Sequence, residues 1–179
     1  IKTIKGQKAK AAEKGRHIKQ GEFGALLSTC DDGTKAGVRD AALIAVGYVA
    51  GLRRAELAAL TMADWNMEDC TLTIKHGKGN KERVVPVADG ACDALRDWLE
   101  VRGPWSGPIF TPVNKSDEVL LGGMTDQAIY YIFDRRAKQA GVKAFAPHDL
   151  RRTFAGDLLD AGADIATVQK LSLIHISEP

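Results

Sequence analysis

Four cationic residues in this chain are of types that could do chemistry on a phosphodiester. Arg53 follows a glycine break, Gly51-Leu52, at the start of a short apolar stretch. Lys78 stands between two glycines in His76-Gly77-Lys78-Gly79-Asn80-Lys81. His148 and Arg151 are three positions apart, a spacing that places both on one face of a helix. Gathered on one spot, two arginines would clamp non-bridging phosphate oxygens with paired hydrogen bonds. Charge builds on those oxygens in the transition state, and fixed donors aimed there lower the barrier. A lysine or a histidine would move the protons. Taken singly, each is an ordinary solvated charge. Spacing alone does not bring them together, so the elements that carry them must.

Those elements alternate between helices and one small sheet. Phe23, Leu26, Leu27 and Cys30 recur at helical spacing. Residues 38–50 are apolar on nearly every side, which predicts a helix central to the core, stopped at Gly51. A short helix should carry Arg53 to Leu60. Thr71-Leu72-Thr73-Ile74 alternates, and Arg83-Val84-Val85-Pro86-Val87 is β-branched and ends near a proline. The glycine-rich segment between them predicts a β-hairpin with a basic tip that lets Lys78 reach outward. Ala91, Leu95, Trp98 and Leu99 share a helical face that ends at Gly103-Pro104. Residues 104–123 read as loop with a short apolar piece at Ile109-Phe110. Thr125 suits the cap of a helix that turns Ile129, Ile132, Phe133 and Ala137 inward and ends at Gly141. Pro147 suits the first turn of the next helix, with Leu150, Phe154 and Leu158 as its buried stripe and Gly162 at its close. Asp164 opens a last helix with Ile165, Val168 and Leu171 inward. The fold class expected is α+β, mainly α-helical, with a small antiparallel sheet.

Composition narrows the chemistry. The chain has 179 residues, 45% hydrophobic and 27% charged, which suits one domain with a buried core. No apolar run reaches the length needed to span a bilayer. There is no glycine-rich loop followed by Lys-Ser or Lys-Thr, and no pair of histidines or cysteines at metal-ligand spacing, so no nucleotide or metal cofactor is expected. Cys30, Cys70 and Cys92 are odd in number and far apart. They read as small buried hydrophobes of a reducing compartment, not a disulfide frame. The net charge of +2 conceals an asymmetry. Residues 1–20 hold seven basic residues against the single acid Glu13, a net of about +6, ahead of a slightly acidic body. A basic arm of this kind, residues 1–19, suits contacts with a phosphate backbone.

Three motifs together resemble the tyrosine recombinase (phage integrase) family. Gly51-Leu52-Arg53-Arg54-Ala55-Glu56-Leu57 looks like its first arginine motif. His76-Gly77-Lys78-Gly79-Asn80-Lys81-Glu82-Arg83, followed by Val84-Val85-Pro86, is similar to the hairpin bearing its catalytic lysine. Pro147-His148-Asp149-Leu150-Arg151-Arg152-Thr153-Phe154-Ala155 looks like its His-x-x-Arg box, and the stretch from Leu158 to Leu171 is similar to the helices that succeed that box in the family. The resemblance covers residues 20–171, the expected catalytic domain. It implies a site-specific recombinase that cuts double-stranded DNA with a tyrosine, keeps the bond energy in a 3′-phosphotyrosine link and rejoins the strand without metal or cofactor. Arg53 and Arg151 would hold the phosphate, Lys78 would protonate the leaving 5′-oxygen, and His148 would assist proton transfer. Glu56 would support the site, and Lys81 and Arg83 would contact the DNA backbone. The family acts as a tetramer on two DNA sites, and a cytoplasmic protein, bacterial or phage-encoded, is expected. Two other classes use similar residues: a non-catalytic DNA-binding relative, and a type IB topoisomerase.

The end of the chain departs from the family pattern. After Val168-Gln169-Lys170-Leu171 the family continues to Gly-His, whereas here Ile174 stands at the place of that histidine and His175 comes one residue late. Residues 172–179 therefore read as a non-matching tail. The family's nucleophilic tyrosine is expected roughly nine residues further on, beyond Pro179, in keeping with the family spacing rather than with any residue here. Tyr48, Tyr130 and Tyr131 do not match its position and read as packing residues. The 179-residue chain is accordingly expected to be a monomer that forms no covalent link to DNA.

Overall fold

The helix that the sequence marks as apolar on almost every side lies at the centre of the molecule. In the computed structural model, which describes residues 17–75, 82–88, 90–143, 147–160 and 162, this helix is α2, Lys35–Val49. The Thr34 hydroxyl accepts the Gly37 N–H at 2.9 Å and so caps its first turn. Gly51, with a φ of 57°, ends it in the left-handed conformation that glycine adopts without strain. Ala42, Leu43, Ile44 and Val46 are wholly buried. Around α2 stand α1 (Gln20–Ser28), α3 (Arg54–Ala59), α4 (Gly90–Arg102), α5 (Asp126–Gln139) and α6 (Pro147–Asp160). α2 packs chiefly on α4 and α6 and touches α1 and α3, while α3 packs on α5.

The sheet has three antiparallel strands in the order β1 (Trp65–Asn66), β2 (Thr71–Ile74), β3 (Arg83–Pro86). Leu72 pairs with Val85 and Ile74 with Arg83. Leu72, Ile74 and Val85 enter the core, as the period-two pattern requires. The two strands of the predicted hairpin therefore pair as expected, with its tip at 76–81 outside the described residues, but β1 adds a strand that its two residues are too few to reveal by alternation. The segment 104–123 is loop, as expected, and α4 pins it. Trp98 Nε1 donates to the Ile109 carbonyl at 2.9 Å, and the buried Arg102 donates to the carbonyls of Gly103, Trp105 and Pro108 at 2.7–2.8 Å. Ile109 and Phe110 are buried beneath it.

Two features were not anticipated. Inside α2, Asp40 is wholly buried and gathers three arginines. Arg39 donates to its Oδ1, while Arg135 and Arg136 of α5 donate to Oδ2 at 2.6 and 2.9 Å. Arg136 also reaches the Thr29 carbonyl and Asp32, so the cluster ties α1, α2 and α5. The second feature corrects the reading of the cysteines. Cys70 and Cys92 are joined as a disulfide across a Cα separation of 6.1 Å, which links the start of β2 to the first turn of α4. Only Cys30 is the free buried thiol expected, and burial pushes it up to about 11, against the lowering effect of nearby Arg136. The side chains of Phe154 and Leu158, and the helix predicted from Asp164, lie outside the described residues. Among the described residues no helix is long and apolar enough to cross a membrane.

Candidate active site

Arg53 is placed by a turn and a helix start. Gly51 stops α2, Leu52 anchors the link in the core with 1% of its surface exposed, and Arg53 takes extended backbone angles as the residue that caps α3. Three residues on, Glu56 turns back to it. Its Oε2 accepts the Arg53 backbone N–H at 2.8 Å and its Oε1 accepts Arg53 Nη1 at 3.0 Å. From β3, Arg83 donates through Nη1 and Nη2 to the two oxygens of the same carboxylate, each at 3.0 Å. Burial pushes the Glu56 carboxyl up, but the hydrogen bonds from Arg83 and the Arg53 backbone, with the charges of both arginines, outweigh it and hold it below the ordinary carboxylate range. Glu56 is buried, while the Arg53 side chain keeps 33% of its surface exposed.

Beside this clamp a cleft of about 260 Å³ opens between α3 and β2, lined among others by Arg53, Glu56, Thr61, Asp64, Thr73 and Lys75. Asp64 is buried. Its Oδ2 accepts the backbone N–H and the hydroxyl of Thr61 at 2.9 and 2.6 Å, and its Oδ1 pairs with Lys75 Nζ at 2.5 Å. Burial opposes ionisation of Asp64, yet Lys75 and Thr61 hold its carboxyl below the usual range; Asp64 in turn raises Lys75. Both strands that flank the segment 76–81 are thus tied to the site platform, β2 through Lys75 and β3 through Arg83.

The helix bearing the His-x-x-Arg box begins against the same platform. A Cβ placed on Gly47 of α2 would lie 3.3 Å from Leu57 Cδ1, 3.6 Å from Phe133 Cζ and 3.8 Å from Leu150 Cδ1. α3, α5 and α6 therefore meet at one point of the central helix. Leu57 is one turn after Arg53, and Leu150 lies between positions 148 and 151, so the first turns of α3 and α6 converge there. Further bonds fix α6. The Ile18 N–H donates to Thr153 Oγ1 at 2.9 Å, Tyr48 donates its hydroxyl to Asp157 Oδ2, and His17 Nε2 lies 3.0 Å from Asp157 Oδ1. Burial, then the bond to Asp157, raises the Tyr48 hydroxyl to about 12.

Of the residues singled out from sequence, the structure brings Arg53, Glu56 and Arg83 together. Arg83, expected on the DNA side, instead points its guanidinium at Glu56. Lys78 and Lys81 lie outside the described residues, as do the side chains of His148 and Arg151, whose backbone forms the first turns of α6. Asp64 and Lys75 were missed, although Thr61-Met62-Ala63-Asp64 has the spacing of a reciprocal cap. Of the tyrosines, Tyr48 stacks on Phe23 with ring centres 4.5 Å apart, and Tyr130 lies beneath Arg54. Tyr131 is 61% exposed, so it is a surface residue and not the packing residue expected.

A mainly helical domain with a small antiparallel sheet, and an arginine held at a helix start beside that sheet, is the tyrosine recombinase catalytic-domain fold. XerA recombinase matches it with a TM-score of 0.74 at 22% identity, over 93% of this chain and 57% of that one. XerH site-specific recombinase bound to its difH substrate matches with a TM-score of 0.67 at 26% identity, over 89% and 47%. The sequence matches the phage integrase family over residues 16–173, and the chain belongs to that family. It is 38% identical over 152 residues to tyrosine recombinase XerD of Listeria innocua, covering 82% of this chain and 50% of that protein. It is 39% identical over 139 residues to tyrosine recombinase XerC of Corynebacterium glutamicum, covering 75% and 42%. The chain spans about half the length of the curated relatives it matches.

Proposed function

We propose that residues 20–171 are the catalytic domain of a site-specific DNA recombinase or integrase that cleaves and rejoins double-stranded DNA through a 3′-phosphotyrosine intermediate. The observation that carries this reading is the meeting of α3 and α6 at Gly47, which starts the Arg53 helix and the His148–Arg151 helix on one platform. Arg53 and Arg151 hold the scissile phosphate and stabilise the charge that builds on its oxygens. Lys78 protonates the leaving 5′-oxygen, and His148 assists proton transfer at the phosphate. Glu56 supports Arg53. Lys81 and the basic arm contact the DNA backbone. The whole protein assembles as a tetramer on two DNA sites. The names of the relatives, all recombinases, favour this reading over a topoisomerase.

The test incubates the full-length protein, wild type and variants, with a library of nicked DNA duplexes and resolves the products on a denaturing gel. The wild type forms a covalent protein–DNA adduct, and Arg53→Ala or Arg151→Ala lowers adduct formation at least about a hundredfold, the scale of losing one charge-stabilising donor. An adduct undiminished by Arg53→Ala would overturn the proposed site.

A further inference from the structure

We infer that Arg83 is a positioning residue for Arg53, acting through Glu56, and does not itself touch DNA. This rests on the reading that Arg53 takes a DNA phosphate. The geometry begins with Glu56. Each of its oxygens accepts twice: Oε1 from Arg53 Nη1 and Arg83 Nη1, and Oε2 from the Arg53 backbone N–H and Arg83 Nη2. The two bonds from Arg83 are parallel and of equal length, the fork-on-fork arrangement that fixes a carboxylate in orientation as well as in charge. Exposure separates the two arginines. The Arg83 side chain keeps only 14% of its surface, against 33% for Arg53. Arg83 Nε is buried with no hydrogen-bond partner among the described residues, so this guanidinium is shut in on one side and engaged with Glu56 on the other. A side chain meant for a phosphate backbone would turn its fork outward.

The charge count explains what Arg83 does for the site. Without it, a buried carboxylate would face one cation, Arg53, and would draw that guanidinium inward to meet its own need for charge and hydrogen bonds. With Arg83 in place Glu56 is satisfied from the strand side. Two guanidinium groups share one carboxylate, and the surplus positive charge sits on the more exposed of the two, Arg53. Arg83 is also the register partner of Ile74, so the strand that leaves the segment 76–81 is held by the same bonds that orient Arg53. A lysine at position 83 would supply charge without the fork and could satisfy one oxygen at a time.

The experiment measures binding of the 179-residue chain to a short random-sequence DNA duplex at several salt concentrations, for the wild type, Arg53→Ala, Arg83→Lys and the double variant. Each phosphate contact contributes about one unit to the slope of log affinity against log salt. Arg53→Ala flattens the slope by about one unit, Arg83→Lys does the same, and the double variant loses no more than either alone. A direct contact by Arg83 predicts otherwise, because lysine also pairs with phosphate. In that case Arg83→Lys keeps the full slope, or the double variant loses about two units, and either result overturns the inference. Should Arg53→Ala leave the slope unchanged, the proposed function is what fails. Nuclear magnetic resonance of the Arg53 guanidinium N–H groups in the free protein then decides the positioning claim. Arg83→Lys shifts and broadens those signals if the inference holds, and leaves them unmoved if it is wrong. Far-UV circular dichroism confirms that each variant is folded.

Discussion

Glu56 accepts four hydrogen bonds from two arginines while almost fully buried, and its protonation therefore bears on stability. A group whose carboxyl is depressed in the folded state contributes stability that is present above its unfolded value, and loses it as pH falls through the folded one. For Glu56 the unfolded reference is 4.5, so the contribution is complete above that pH and fades below it. Glu56→Gln should lower the unfolding free energy near neutral pH by about 3–5 kcal/mol, because it leaves buried arginine charge without its partner. It should also flatten part of the wild-type loss of stability below pH 4.5, since glutamine has no proton to gain. Urea unfolding of both proteins at neutral and acid pH measures this, and parallel pH profiles would refute it. Glu56 was singled out only as the supporting acid that the family resemblance implied; its bonds to Arg53, three residues before it across a helix start, came from the structure. The role of Arg83 was not legible in the sequence, since its partner is 27 positions away and only the packing of β3 on α3 brings them together.

At the scale of elements, the helices of the core were legible wherever one face is apolar. The apolar run at 38–50 gave the central helix, and Thr125 and Gly141 bounded α5 as expected. Two things stayed hidden. β1 has too few residues to show a period. The pairing of Cys70 with Cys92 depends on α4 crossing the base of the sheet, which no spacing encodes. Asp40 was hidden in another way, since it stands in a largely apolar run and two of its three partners, Arg135 and Arg136, come from α5, some 95 positions on. A buried carboxylate of this kind holds three elements together only while its buried cations are present. Asp40→Ala leaves the buried Arg39 without a carboxylate and the buried Arg136 with Asp32 alone, and should cost about 3–5 kcal/mol. For a chain of this size that corresponds to a fall in melting temperature of roughly 6–20 °C. Arg135→Ala, which removes the one arginine of the cluster that is half exposed, should cost about 1 kcal/mol or less. Calorimetry that ranks the two variants equally would show that the cluster does not depend on burial.

At the scale of the whole molecule, the proposed site depends on three helices meeting at one residue. Gly47 is buried in α2, and its missing side chain lets Leu57, Phe133 and Leu150 close over the same point. Any side chain there enters space those helices now fill. An alanine Cβ would lie 3.3 Å from the movable end of Leu57, a small intrusion. Replacing glycine inside a helix also gains up to about 1 kcal/mol of backbone propensity, so Gly47→Ala should fold with stability close to that of the wild type. Leucine is different. Overpacking of this kind costs about 1–3 kcal/mol, and the strain must be relieved by moving α3, α5 or α6 outward. Such a movement separates Arg53 from positions 148 and 151 while leaving each helix intact. Gly47→Leu should therefore keep its far-UV circular dichroism yet lose DNA affinity as far as Arg53→Ala does, with Gly47→Ala falling between it and the wild type. The loss should persist at temperatures well below the unfolding transition, because it comes from geometry and not from the unfolded fraction. A folded Gly47→Leu protein that binds DNA with wild-type affinity would mean that the meeting of α3 and α6 at Gly47 does not assemble the site.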